Sequence, residues 1–190
     1  MEAPAIINRH RRPFLLPVWL TFAAVFAVFV AALVSLFIYR TATTTTIVVL
    51  ARHAEKDVSS IQDPPLSAEG EQRAERLAQM FGRGKGVGRI DAIYVSDARR
   101  TQQTAAPLAE RLGKQAIVVP AADTKGLASR VMHEHEGDSV LIVGHSNTVP
   151  ELIHELGDID VPPIGDDEYD TLYVLSIPSF GHASLLRMAY

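Results

Sequence analysis

Two histidines and several arginines fall where apolar, β-branched runs stop. Thr46–Ala51 (TIVVLA) leads straight into Arg52 and His53, and Ile90–Val95 (IDAIYV) into Ser96, Asp97, Arg99 and Arg100. Gln115–Val119 leads to Asp123, and Ser139–Val143 (SVLIV) to Gly144, His145, Ser146 and Asn147. Cations gathered from separate parts of an acidic chain suit an anion, because the planar arginine fork pairs with phosphate oxygens through charge-assisted bonds. Neutral imidazole, with a reference pKa of about 6.5, is a good nucleophile near pH 7. Phosphoryl transfer asks mainly for positioning and for neutralising charge on the equatorial oxygens. Arginines and a second histidine can do both without a metal or cofactor.

The elements needed to bring these residues together can be read from periodicity. The runs named above are strands, joined by helices in between. Ser67 is placed to cap a helix whose apolar residues Ala74, Leu77, Ala78 and Phe81 share one face. A second helix covers Arg99–Leu112, with Gly113 as its stop and Pro107 as an expected kink. Helices over Thr124–Glu136 and Val149–Leu156 follow, the latter ended by Gly157, and two last strands are expected at Thr171–Ile177 and Ala183–Ala189. This alternation predicts an α/β fold with a mostly parallel sheet and helices on both faces, closed by a pair that includes an antiparallel edge. In such sheets the site lies outside the C-terminal ends of the strands.

The chain has 190 residues, and its first forty differ from the rest. From Phe14 to Tyr39 there are 26 residues without a charge. As a helix they would span about 39 Å, more than the ~30 Å hydrocarbon core of a bilayer. A cleaved signal peptide would have a shorter apolar region and a small-residue exit, whereas this one leaves through Leu36-Phe37-Ile38-Tyr39-Arg40. The expected organisation is a basic cytoplasmic segment at 1–13, a transmembrane helix at 14–39, a linker at 40–46 and a catalytic domain at 47–190. Arg9, Arg11 and Arg12 before the span keep the N-terminus inside, so the domain is expected across the membrane, in a periplasm or another extracytoplasmic space. Residues 41–190 carry 14 Lys+Arg against 21 Asp+Glu, which argues against nucleic-acid binding. With no cysteine, thiolate catalysis, disulfides and cysteine metal sites are excluded.

Four ordered motifs resemble the histidine phosphatase superfamily, the phosphoglycerate mutase-like fold. Arg52-His53-Ala54 resembles its Arg-His-Gly signature, with alanine for glycine. Asp63-Pro64-Pro65-Leu66-Ser67-Ala68-Glu69-Gly70, the block Ser96–Ala105 and Gly144-His145-Ser146-Asn147 resemble the later signatures. The resemblance implies that His53 is the phosphorylated nucleophile and that Arg52, Arg100 and His145 bind the phosphoryl group, with Arg99 the neighbouring alternative to Arg100. The family's general acid has no clear counterpart; Asp123 is the best positional candidate and Glu55 the second. If neither reaches the leaving oxygen, substrates with good leaving groups, such as phosphohistidine or acyl phosphates, are favoured. About 150 residues beyond the anchor leave little room for the substrate-enclosing insertions of the family's mutases, so a phosphatase is expected, acting on a phosphorylated substrate.

Other readings compete with this one. Gly144-His145-Ser146-Asn147-Thr148 imitates a serine nucleophile elbow but lacks its second glycine. A domain that binds phosphate without turning it over, or tethers a partner to the membrane, would also use such cations. The glycine-rich stretch 82–88 follows a helix and no Ser or Thr follows its lysine, so it reads as a connector, not a phosphate loop. His133 and His135 point to different helix faces and read as solvated surface, and the acidic run Asp166–Asp170 reads as a solvated loop or, alternatively, a substrate-facing lid.

Overall fold

The computed structural model describes residues 18–42, 44–59, 62–82 and 89–190, and the chain divides into two units, 1–41 and 42–190. In the first unit, helix α1 (Val18–Ala42) carries the uncharged stretch. Its side chains from Val18 to Tyr39 are all exposed, with Trp19, Leu20, Phe22, Val25 and Val28 spread around the axis. The 22 residues Val18–Tyr39 are long and apolar enough to cross a membrane, and a signal sequence near an N-terminus meets the same criterion. Residues 14–17 of the expected span and the basic segment 1–13 lie outside the described residues.

The second unit is an α/β fold. Its strands are β1 (Thr45–Arg52), β2 (Ala92–Ser96), β3 (Ile117–Val119), β4 (Ser139–Gly144), β5 (Thr171–Pro178) and β6 (Ser184–Ala189). They form one sheet in the order β3-β2-β4-β1-β5-β6. The first four are parallel to one another, while β5 runs antiparallel to β1 and β6 antiparallel to β5. The central strands are buried on both faces, which explains why they read as unbroken apolar runs instead of alternating ones. Val48, Leu50, Tyr94, Val140 and Ile142 point to one face, under helices α4 (Thr124–Glu134) and α5 (Thr148–Gly157). Val49, Ala51, Ile93, Val95, Leu141 and Val143 point to the other, under α2 (Ala68–Phe81) and α3 (Arg99–Leu112). The period-2 alternation of strand side chains thus builds two cores from consecutive residues.

Several boundaries differ from the sequence expectation for physical reasons. β2 starts at Ala92, because Ile90 and Asp91 approach the sheet as a loop whose Asp91 N–H reaches the Ser139 carbonyl at 2.7 Å. β3 is only three residues long at the sheet edge. α3 runs through Pro107 along its full length and ends at Gly113 in the left-handed conformation (φ 63°). Gly157 does not end α5; it lies in the helix, and Asp158 takes the left-handed cap instead (φ 52°), an arrangement acidic side chains tolerate better than most. His135 is not free surface: it is half-buried, 3.0 Å from the Tyr94 hydroxyl and 3.1 Å from the Asp138 carboxylate.

Candidate active site

β1 and β4 lie side by side in parallel, so Arg52 and Gly144 are register partners and His53 and His145 leave the sheet together. The His53 N–H donates to the Gly144 carbonyl at 2.9 Å, extending the ladder by one rung. The two rings meet edge to face with centroids 5.4 Å apart. Gly144 permits the sharp exit: a Cβ there would meet the Thr148 hydroxyl at 2.7 Å, and that hydroxyl accepts the His145 N–H.

β2 supplies the second arginine through α3. Ala98 at the helix N-cap has no side-chain oxygen to offer, so the cap comes from elsewhere: the Asp63 carboxylate accepts the Arg99 N–H at 2.9 Å. Asp63 reaches it from a left-handed backbone (φ 43°) and also lies 3.9 Å from Arg100 Nη1. This is the physical content of the Asp63–Gly70 motif, which fastens the loop after His53 to the start of α3. Gly70 is part of it, because a Cβ there would lie 2.2 Å from the Glu55 carbonyl oxygen. Gln103 and Thr104 complete the fastening, their side-chain oxygens accepting the Leu66 and Ala54 N–H groups. Ala54, where the signature has glycine, is fully buried against Leu66 and Ala74. Helical geometry turns Arg100 inward and leaves Arg99 exposed.

A cleft of about 480 Å³ opens here, lined by Arg52, His53, Lys56, Arg100, His145 and Asp166 among others. Arg52 is 6 %, His53 4 % and His145 9 % exposed. The Nε atoms of both Arg52 and Arg100 are buried and make no hydrogen bond. A buried charged donor without an acceptor is costly, and an anion in the cleft would satisfy both. Among the described residues, no group of three or more histidine and acidic side chains could hold a metal ion.

The partners fix the histidine tautomers. His53 Nδ1 lies 2.8 Å from the Ala54 carbonyl, which can only accept, so Nδ1 carries the proton and Nε2 keeps its lone pair. His145 Nδ1 lies 3.2 Å from Arg100 Nη2, which can only donate. Its Nε2 therefore carries the proton and donates to Ser96 Oγ at 2.9 Å, and Ser96 hydrogen-bonds in turn to Thr101 at 2.9 Å. Both rings are neutral at pH 7. Burial lowers the His53 pKa from 6.5 to about 4 against the pull of the Ala54 carbonyl, with Arg100, His145 and Arg52 lowering it further. His145 falls to about 4 through burial and then Arg100, with Asp97 opposing and Arg52 adding to the depression.

Neither acid candidate joins the cleft. Asp123 is the N-cap of α4, its carboxylate accepting the Gly126 N–H at 3.0 Å, and it lines a small adjoining cavity with Pro120 and Leu127 that shares Ala121 and Thr148 with the cleft. Glu55 turns away to a bidentate pair with Arg73, at 2.5–2.9 Å. Burial raises the Glu55 pKa, but the bonds from Arg73 reverse this and hold it below the usual value, so it stays ionised. Ser146 lines the cleft, whereas His182, which a serine triad would need, lies in a different depression with His154 and Gly157.

The acidic run is the part of the site that sequence reasoning undervalued. It is a strap over Arg52, not a free solvated loop. Arg52 Nη1 donates to the carbonyls of Gly165 (2.6 Å), Asp166 (2.8 Å) and Glu168 (3.2 Å), and its guanidinium lies 4.1 Å from the centre of the Tyr169 ring. The Tyr169 ring is also 6.0 Å from that of His53. An aromatic residue inside a run of acids was the available signal.

Residues 48–124 match the family model described as the histidine phosphatase superfamily, branch 1. A curated protein named "Probable phosphoglycerate mutase GpmB", from Enterobacter sp. (strain 638), is 39% identical over 79 residues. That stretch is 38% of this chain and only 35% of the length of that protein. Among solved structures, the protein histidine phosphatase SixA complexed with tungstate superposes with a TM-score of 0.61 at 21% identity, covering 75% of this chain and 96% of that one. A mycobacterial glucosyl-3-phosphoglycerate phosphatase gives 0.59 at 18% identity, over 74% of this chain and 97% of its own. The family match spans the segment holding Arg52, His53, Asp63 and Arg100, and the fold match spans the sheet that brings His145 to them: over residues 48–124 the chain is similar to the histidine phosphatase superfamily, and its α/β unit has the fold of these phosphatases.

Proposed function

We propose that this chain is a phosphatase that transfers a phosphoryl group to His53 and then to water, without a metal. The observation that carries the reading is the pair of buried, unpartnered arginine Nε donors beside two neutral histidines. The phosphoryl oxygens take the free donors of Arg52 and Arg100. His53 Nε2 attacks phosphorus, the N–P bond forms, and the bond to the leaving group breaks with its electron pair departing on that group. The ring becomes cationic, and the Ala54 carbonyl on Nδ1–H stabilises that charge. Water then attacks phosphorus, the N–P electron pair returns to Nε2, and the proton of water leaves through solvent.

Asp123 and Glu55 are both committed elsewhere, so protonation of the leaving group is the weak step. This favours acyl phosphates, which leave as carboxylates, and phosphoramidates such as phosphohistidine, over alkyl phosphomonoesters. The length and apolar character of helix α1 support a membrane anchor, and the arginines at 9, 11 and 12 support an extracytoplasmic catalytic unit by the positive-inside rule. The test is turnover by the full chain in detergent on an acyl phosphate, a phosphoramidate and an alkyl phosphate. The first two should be hydrolysed faster, His53→Ala should abolish turnover, and Ser146→Ala should spare most of it. A fully active His53→Ala protein sinks the proposal, and anion binding with no turnover by the wild type leaves a phosphate-binding tether.

A further inference from the structure

A guanidinium bonded at Nη1 presents its opposite edge, Nε with Nη2, as the remaining bidentate surface. In Arg52 the Nη1 corner is consumed by three backbone carbonyls, the face is covered by Tyr169, and Nε is buried without a partner. Carbonyls aimed at one corner fix the plane of the fork as well as its position. The segment providing them is itself secured. Glu168 accepts from Thr171 Oγ1 at 2.9 Å, pairs with Arg187 on β6, and its N–H donates to the Gly165 carbonyl at 3.1 Å. Arg187 also lies 5.8 Å from the centre of the Tyr173 ring on β5. Ile164, just before the strap, is buried in the core under α5. The edge hairpin β5–β6 is thereby linked to the catalytic strand β1 through the acidic run.

We propose that Gly165–Tyr169 is a positioning strap for Arg52: its carbonyls and the Tyr169 ring hold the guanidinium so that the Nε–Nη2 edge is the bidentate edge left without a protein partner at Nε, to be taken by the phosphoryl group, and the Glu168–Arg187 pair ties the strap to the sheet. Tyr169 is then a positioning residue, because it acts through Arg52. The ring supplies the contact, so its hydroxyl is dispensable. The proposal rests on the reading of Arg52 as a phosphoryl ligand, and two independent readouts separate a failure of one from a failure of the other.

The first readout is kinetic, on the full chain in detergent with an acyl phosphate, together with tungstate binding. Tyr169→Ala should lower both kcat/KM and tungstate affinity about tenfold, the size of a desolvated cation–ring contact, while Tyr169→Phe stays within about twofold of wild type. The second needs no substrate: proton exchange at Arg52 Nε–H by NMR should be slow in wild type and Tyr169→Phe and fast in Tyr169→Ala. A folded Tyr169→Ala protein with wild-type kcat/KM and a protected Nε–H overturns the strap, as does a Phe variant as impaired as the Ala variant. Loss of Nε–H protection in Tyr169→Ala within a wild type that neither turns over substrate nor binds tungstate supports the strap and overturns the phosphatase reading.

Discussion

The neutral state of His53 makes a quantitative claim about acid. A surface histidine with a pKa near 6.5 would be only about 3% neutral at pH 5, whereas one at about 4 is about 91% neutral, a difference of roughly thirtyfold in nucleophile. The cause is burial in a cleft already holding Arg100, His145 and Arg52, so lowering the pH from 7 to 5 should leave the nucleophile nearly intact. Rate profiles alone are ambiguous, because a phosphate ester has its own ionisation near pH 6. The direct assay is NMR titration of the imidazole resonances of the full chain in micelles, with His53 and His145 assigned by their glutamine variants. The rings are 5.4 Å apart, so the two inflections belong to the pair, and both should lie near 4. Tungstate should move them upward, since a bound dianion favours the charged imidazolium. A His53 midpoint at 6.5 in the free protein, or no upward movement with a saturating anion, would refute the reasoning.

Stability should follow the same groups. The folded pKa values of His53 and His145 lie below the unfolded value, so between about pH 4 and 6.5 the unfolded chain binds more protons, and thermal melts should show stability falling as pH drops through that window. The His53→Gln, His145→Gln double variant should show a shallower fall. Asp123→Ala should cost about 1 kcal/mol as a lost helix cap in a denaturation experiment, with kcat within about twofold of wild type. A large loss of kcat instead would restore Asp123 as the acid. Gly70→Ala should destabilise by about 2 kcal/mol or more, because its Cβ has the Glu55 carbonyl oxygen in the way, and a melt unchanged from wild type would contradict that packing.

Much of this arrangement was legible in the sequence because strand exits are local events. Apolar β-branched runs that stop at Arg52, Ser96 and Gly144 mark the C-terminal ends of parallel neighbours, and topology brings such ends together. Helix geometry lets only one of Arg99 and Arg100 face inward, the motif resemblance favoured Arg100, and the Ser67 cap was visible as a serine before a helical apolar face. What stayed hidden was tertiary. Asp123 looked suitable by position, but a carboxylate just before a helix is drawn to the free N–H groups of its first turn. Glu55 lies two residues after His53 in sequence, yet its partner Arg73 is set by how α2 packs back on the loop. The strap contact uses backbone carbonyls more than a hundred residues from Arg52, which no side-chain pattern reveals. Its acidic side chains suggested solvent, while its carbonyls and Tyr169 made the contact.

Trapping tests the central claim most directly. The full chain mixed briefly with a radiolabelled acyl phosphate and quenched in alkali should retain about one phosphoryl group per molecule, on His53, stable to base, lost in acid and absent from His53→Ala. Label on a serine or another histidine, or rapid turnover by a His53→Ala protein, would contradict phosphoryl transfer through His53.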